Sequence, residues 1–289
     1  MLSGATDRAA TLRTMISKVP EVTAFFWIIK ILCTTVGETA ADYLNTMFIR
    51  ILCSNAGKVV DSCPDAIQQP ALTDTTIMGL LLAAVLVWQF RLRRYVPGVY
   101  WLAVVLISVV GTLITDNLVN NFGVSLWTTT LLFSVILAAV FALWYRSEKT
   151  LSIHSILSTR RETFYWLAVL FTFALGTAAG DLVAEGLALG YWKSALMFAG
   201  VIGLVALAHV YLRLGGILAF WIAYILTRPL GASIGDYLSQ DTDAGGLALG
   251  TLATSALFLV AILAVVIYLG ATRRDQIRVA EAEERAAPH

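Results

Sequence analysis

Asp42, Asp116, Asp181 and Asp236 each end a long apolar run, five residues after a glycine and fifteen after a tryptophan. The runs read "FWIIKILCTTVGETAAD", "YWLAVVLISVVGTLITD", "YWLAVLFTFALGTAAGD" and "FWIAYILTRPLGASIGD", a shared [FY]-W-x9-G-x4-D. Glu38 lies four residues before Asp42 and Glu185 four after Asp181, on the same helical face as their neighbours. A charge at the bilayer centre costs about 2.5–3.5 kcal/mol on insertion scales, so deep acids must be protonated, paired or bound to a cation. The plainer alternative is that each Asp marks the end where a helix leaves the bilayer. The helix dipole opposes an acid there, and a mere exit residue would not be an acid in all four copies.

Hard divalent cations take six or more oxygen ligands, whereas zinc and copper favour His and Cys. Thr34, Thr35, Thr39, Thr112, Thr115, Asn117, Thr177 and Ser233 add hydroxyl and amide oxygens beside the aspartates. His154, His209 and His289 fall at the other end of the spans or in the tail. Asp42, Asp116, Asp181 and Asp236 are therefore the expected metal ligands, with Glu38 and Glu185 adding charge. No resident cofactor is expected, and the divalent ion would be substrate.

Two bases stand inside the same runs. Lys30, three residues past Trp27, is expected to snorkel to the nearer interface. Arg228 lies deeper and is expected to pair with an acid, as a counter-ion that tunes occupancy. Gly37, Gly111, Gly176 and Gly231 allow either close helix approach or a helix break that frees carbonyls for a ligand. Pro229, two residues before Gly231, favours a kink in that copy. Trp27, Trp101, Trp166 and Trp221 are expected as interfacial belt anchors, the alternative being a cation-π lining of a permeation path.

The scaffold follows from composition. Of 289 residues, 58% are hydrophobic and 13% charged, a balance that assigns the chain to the membrane class. Eight apolar stretches are long enough to span, near 21–46, 75–91, 98–118, 125–145, 162–187, 191–212, 215–238 and 248–270. Their unbroken apolar character predicts an all-α polytopic bundle rather than a barrel. Fifteen of the 20 Lys and Arg fall in the N-terminal arm, the even-numbered connections and the tail. The positive-inside rule then places both termini in the cytoplasm of a bacterial inner membrane. No cleavable leader is expected in the polar residues 1–20. Cys53 and Cys63 fall in the outer loop 47–74, paired or unpaired, and Cys33 reads as a packing residue.

The Trp, Gly and Asp recurrence divides the chain into four tandem two-helix units, 21–92, 93–150, 151–213 and 214–270, between an arm (1–20) and a tail (271–289). Over about residues 18–270 the chain resembles a bacterial family of uncharacterised membrane-anchored proteins. Its members carry four repeats of unknown function, with two spans and a tryptophan per repeat. The resemblance implies the architecture and brings no activity with it.

The chain has no H-E-x-x-H or P-loop, and four equivalent acids do not fit the paired aspartates of an intramembrane protease. An enzyme is not expected, nor a nucleic-acid partner; lipid and a small cation are. The residues read as a cation transporter or channel for a hard divalent metal, manganese or magnesium first. An organic cation is the alternative substrate, and a non-transporting membrane regulator or scaffold the alternative from another class.

Overall fold

The computed structural model describes residues 18–55, 68–156 and 158–275. Among them, eight helices are long and apolar enough to cross a membrane. They are α1 (Ala24–Asn55), α2 (Gln68–Arg91), α3 (Pro97–Asp116), α4 (Leu126–Glu148), α5 (Thr159–Asp181), α6 (Tyr191–Tyr211), α7 (Gly216–Ser239) and α8 (Thr251–Thr272). The described residues form an all-α, multi-pass membrane bundle of four two-helix repeats.

Local chemistry starts and stops these helices. Ser125 Oγ accepts the Thr128 N–H at 3.2 Å and Ser158 Oγ the Arg161 N–H at 3.3 Å, capping α4 and α5. Pro97 occupies the first turn of α3, where its missing N–H is harmless. Gly190 and Gly250, at φ +82° and +76°, make the sharp entries into α6 and α8.

The odd-numbered helices form a closed inner ring in which α1 packs on α3, α3 on α5, α5 on α7, and α7 back on α1. Each even-numbered helix leans chiefly on the first helix of the next repeat: α2 on α3, α4 on α5, α6 on α7, and α8 on α1. The inner helices are mostly buried and the outer ones mostly exposed. Outer leucines such as Leu131, Leu204 and Leu263 face outward, as they must where the surrounding solvent is hydrocarbon.

Three expectations about the elements change. Helix α1 runs nine residues beyond the expected 46, because residues 47–53 stay apolar around the single exposed Arg50. The outer loop expected at 47–74 accordingly shrinks to the connection between Asn55 and Gln68. Cys63, and with it any pairing to Cys53, lies outside the described residues, as do residues 1–17 and 276–289. The alternative of a helix interruption beside Pro229 is not realised, since α7 is continuous through it. Pro229 is seated on α5: a Cβ added to Gly180 would stand 3.5 Å from the proline Cβ. Finally, a single π-helical turn follows Asp116 (Asn117–Asn121) and another follows Asp181 (Leu182–Gly186), local widenings that often accompany functional positions.

Candidate functional site

Equivalent positions of the repeats form layers along the ring axis, running from a Trp end to an Asp end. At the Trp end the [FY]-W pairs close a circle. The aromatic of each repeat meets the tryptophan of the next: Phe26 with Trp101 at 5.7 Å between centroids, Tyr100 with Trp166 at 5.5 Å, and Tyr165 with Trp221 at 6.4 Å. Phe220 with Trp27 at 5.6 Å completes it. The hydroxyls of Tyr100 and Tyr165 hydrogen-bond at 2.5 Å, and Trp221 Nε1 donates to the Leu151 carbonyl at 2.9 Å. Trp101, Trp166 and Trp221 are buried. The belt-anchor expectation is thereby overturned for these three, which are buried against the aromatic of the neighbouring repeat as well as that of their own; Trp27, in the same circle, is half-buried.

A second layer, three residues past each tryptophan, holds Lys30, Val104, Val169 and Tyr224, all 0% exposed. The Lys30 ammonium lies over the Phe173 ring (4.3 Å) and the Tyr224 ring (3.9 Å). It does not snorkel; α1 belongs to the inner ring, so its side chain projects among aromatics instead of along lipid.

The glycines make the third layer. Each opposes the residue three positions before the glycine of the next repeat: Gly37 against Ser108, Gly111 against Phe173, Gly176 against Arg228, and Gly231 against Thr34. A Cβ on Gly111 would stand 2.9 Å from Phe173 Cβ, and one on Gly231 would stand 3.0 Å from the Thr35 backbone nitrogen. The glycines thus serve close approach, and the helices are unbroken at all four.

That approach brings Arg228, fully buried, onto the axis. Its Nη2 donates to Glu38 Oε2 at 2.8 Å, to Thr177 Oγ1 at 2.6 Å and to Thr112 Oγ1, while Nη1 donates to the Thr34 carbonyl at 3.4 Å. Glu38, Thr112 and Thr177 occupy the same position in their repeats, one residue past the glycine. Thr112 and Thr177 spend their own hydroxyl protons on Ser108 and Phe173 carbonyls, which leaves lone pairs for the guanidinium. One side chain of the fourth repeat therefore binds the other three.

Above Arg228 stand the acids. Carboxylate oxygens of Glu38, Asp181 and Asp236 lie within 4.8 Å of one another. Asp236 is buried beside them, whereas Asp42, Asp116 and Asp181 are half-buried. Asp42 and Asp116 are in electrostatic range of Glu38 but outside the tight trio. The expected four-aspartate ligand set thus becomes one glutamate and two aspartates with two further acids around them. The reason is that Glu38, drawn inward by Arg228, takes the central place. Glu185 is exposed and accepts from the Tyr191 hydroxyl at 3.0 Å, and Gln240 Nε2 donates to Asp42 at 3.4 Å. Tyr191 and Gln240 had no sequence signal, since neither belongs to the repeated pattern.

A second polar assembly, unforeseen in the sequence, lies at the Trp end. Lys18 Nζ binds Glu162 Oε2 at 2.6 Å and the Phe90 carbonyl at 3.1 Å, with Glu162 buried. Lys18 precedes α1 and Glu162 belongs to α5, the helix across the ring. Nearby, the Glu21 N–H donates to the Asp275 carbonyl at 2.9 Å and the Tyr95 hydroxyl to Asp275 Oδ2 at 2.6 Å. Burial, and then the Asp275 charge, push the Tyr95 hydroxyl above the usual tyrosine range. A lone Glu four residues before Trp166, with Thr, Pro and Ile in the other copies, was the available signal for Glu162.

A family model described as "Repeat of Unknown Function (DUF347)" matches residues 25–95, 99–150, 164–214 and 219–275. The chain belongs to the DUF347 family. No curated protein and no solved structure matches it. Each matched DUF347 segment opens one residue before its [FY]-W pair, so the family unit coincides with one inner helix plus the outer helix that follows.

Proposed function

We propose that the protein is an integral-membrane transporter for a hard divalent cation, with manganese or magnesium as the first candidates. In this reading it lies in a bacterial inner membrane with both termini cytoplasmic, so that the Asp end faces out. The observation that carries the proposal is the trio Glu38, Asp181 and Asp236, from three repeats, with oxygens within 4.8 Å. Two ionised carboxylates at that separation repel by roughly 3.5 kcal/mol at an effective dielectric near 20. Arg228 bonds to Glu38 alone among the three, and a bound divalent ion would offset the remainder. Six-coordinate Mg2+, with bonds near 2.1 Å, sets its ligand oxygens about 3–4 Å apart. A small side-chain rotation would close the trio around such an ion. Asp42 and Asp116, both half-buried, extend the negative field at the Asp end, while Arg228 and the aromatic circle obstruct the axis beneath. That obstruction favours a carrier that alternates between two openings over an open channel.

A non-transporting scaffold is the second reading. The observation in its favour is the satisfied Arg228 hub, which also makes sense as glue between repeats. Reconstituted protein separates the two. Mn2+ and Mg2+ uptake into liposomes, with tetramethylammonium as the organic-cation arm, is measured for the parent chain and for Asp181→Asn/Asp236→Asn. A transporter loses at least about tenfold in flux while remaining folded. Unchanged flux in the double variant, or no flux of any tested cation in the parent chain, overturns the proposal.

A further inference from the structure

Lys30 is the buried base that the cation site does not use. Its three N–H groups find one oxygen among the described residues, the Tyr224 carbonyl at 3.5 Å. That carbonyl already accepts the Thr227 hydroxyl at 2.8 Å. The ammonium also lies against the Phe173 and Tyr224 ring faces. Arg228, by contrast, has a carboxylate, two hydroxyls and a carbonyl. Arginine keeps its proton in proteins, whereas a buried lysine gives its proton up readily. The axis therefore carries one permanent and one removable positive charge, stacked between the acid cluster and the aromatic circle.

We infer that Lys30 is the proton-carrying residue of the transport cycle, its ammonium losing one proton when a divalent cation occupies the acid cluster and regaining it when the cation leaves. The inference rests on the cation-transport reading above. The groups facing Lys30 are Cys33 on its own helix and Tyr224 and Arg228 on α7. Helix α5 presents the uncharged Phe173 ring, and the hydroxyl pair of Tyr100 on α3 and Tyr165 on α5 lies in the aromatic circle. A cation arriving above Arg228 raises the positive potential at Nζ, and among the described residues no acid partner holds the proton in place. The N–H bond breaks, its electron pair stays on nitrogen, and the proton passes to water on the side from which the cation entered. When the cation leaves to the other side, the amine takes a proton from water there. Each turn then moves one proton against one cation. The equivalent positions in the other repeats are Val104, Val169 and Tyr224, so this role falls to a single residue even though the acids are repeated.

The test uses the full chain and Mn2+ as probe, with two readouts. In weakly buffered detergent solution, protons released per Mn2+ bound are counted with a pH dye; in proteoliposomes, Mn2+ and proton movements are followed together. Lys30→Met, which fixes the uncharged state, is expected to bind Mn2+ about tenfold more tightly than the parent chain at neutral pH, to release about one proton fewer, and to lose Mn2+-driven proton movement. Lys30→Arg, which keeps its charge, is expected to lose both fluxes by at least tenfold while retaining its thermal melt. Proton release and counterflow unchanged in Lys30→Met, or parent-like cycling in Lys30→Arg, overturns the inference. Mn2+ flux without proton movement in the parent chain overturns this inference alone; absence of any cation flux overturns it together with the transport reading.

Discussion

Removing the Arg228 guanidinium tests the hub at the centre of the ring. In Arg228→Met the Glu38 carboxylate, 5% exposed, loses its only salt-bridge partner among the described residues, and the Thr112 and Thr177 hydroxyls lose a shared donor. Stripping one partner from a buried pair costs about 3–5 kcal/mol, a large share of a typical stability of about 5–15 kcal/mol. The reverse change is milder. In Glu38→Met the guanidinium keeps both threonines and the Thr34 carbonyl, and Asp181 and Asp236, whose oxygens cluster with those of Glu38, can turn to it. The expected loss is one charge-assisted hydrogen bond, about 1.5–3 kcal/mol. The double variant replaces the pair with apolar side chains and should recover to within about 2 kcal/mol of the parent chain. Reversible unfolding in mixed micelles, read by tryptophan fluorescence, gives the double-mutant cycle. Additive losses, or a costlier Glu38→Met than Arg228→Met, would refute the claim that Arg228 is the structural centre and Glu38 its partner.

Further expectations concern packing and the Trp end. Gly231→Ala, whose Cβ would press on Thr34 and the Thr35 backbone, should lower stability by about 1–3 kcal/mol. Gly203→Ala on the outer helix α6, with nothing within 4 Å, should raise it by about 0.5–1 kcal/mol. The same unfolding assay ranks the two, and equal effects would remove the inner-ring contact as the reason for the glycine. Glu162→Gln leaves Lys18, whose side chain is 14% exposed, without its counter-charge. It should cost about 2–3 kcal/mol, less than a fully buried pair because Lys18 reaches water and keeps the Phe90 carbonyl. Proteolysis of the N-terminal segment should also speed up; an unchanged cleavage rate would show that the ion pair does not hold that segment.

The repeat was legible because four apolar runs carry the same three landmark residues, and helical periodicity converts that spacing into equal depth. The two-helix unit, the count of spans and the acidic layer all follow from this local rule. Arg228 could be assigned an acid partner because a guanidinium inside a span has few alternatives. The identity of the partner was not legible. Glu38 lies 190 residues away, and its selection over the four aspartates depends on α7 lying directly against α1.

The tryptophans show the other half of the lesson. An [FY]-W pair near the end of a span has the same appearance whether it faces lipid headgroups or another helix, so periodicity alone favoured the belt. Lys30 was misread for the same reason: one span gives depth but not azimuth. Residue order and hydrophobic period determined the architecture and the layers along the axis. The rotation of each helix about its own axis, and hence what meets across a layer, was decided only when the four units closed into a circle. Burying each repeat's glycine face against the next satisfies all four interfaces at once, and no single repeat contains that information.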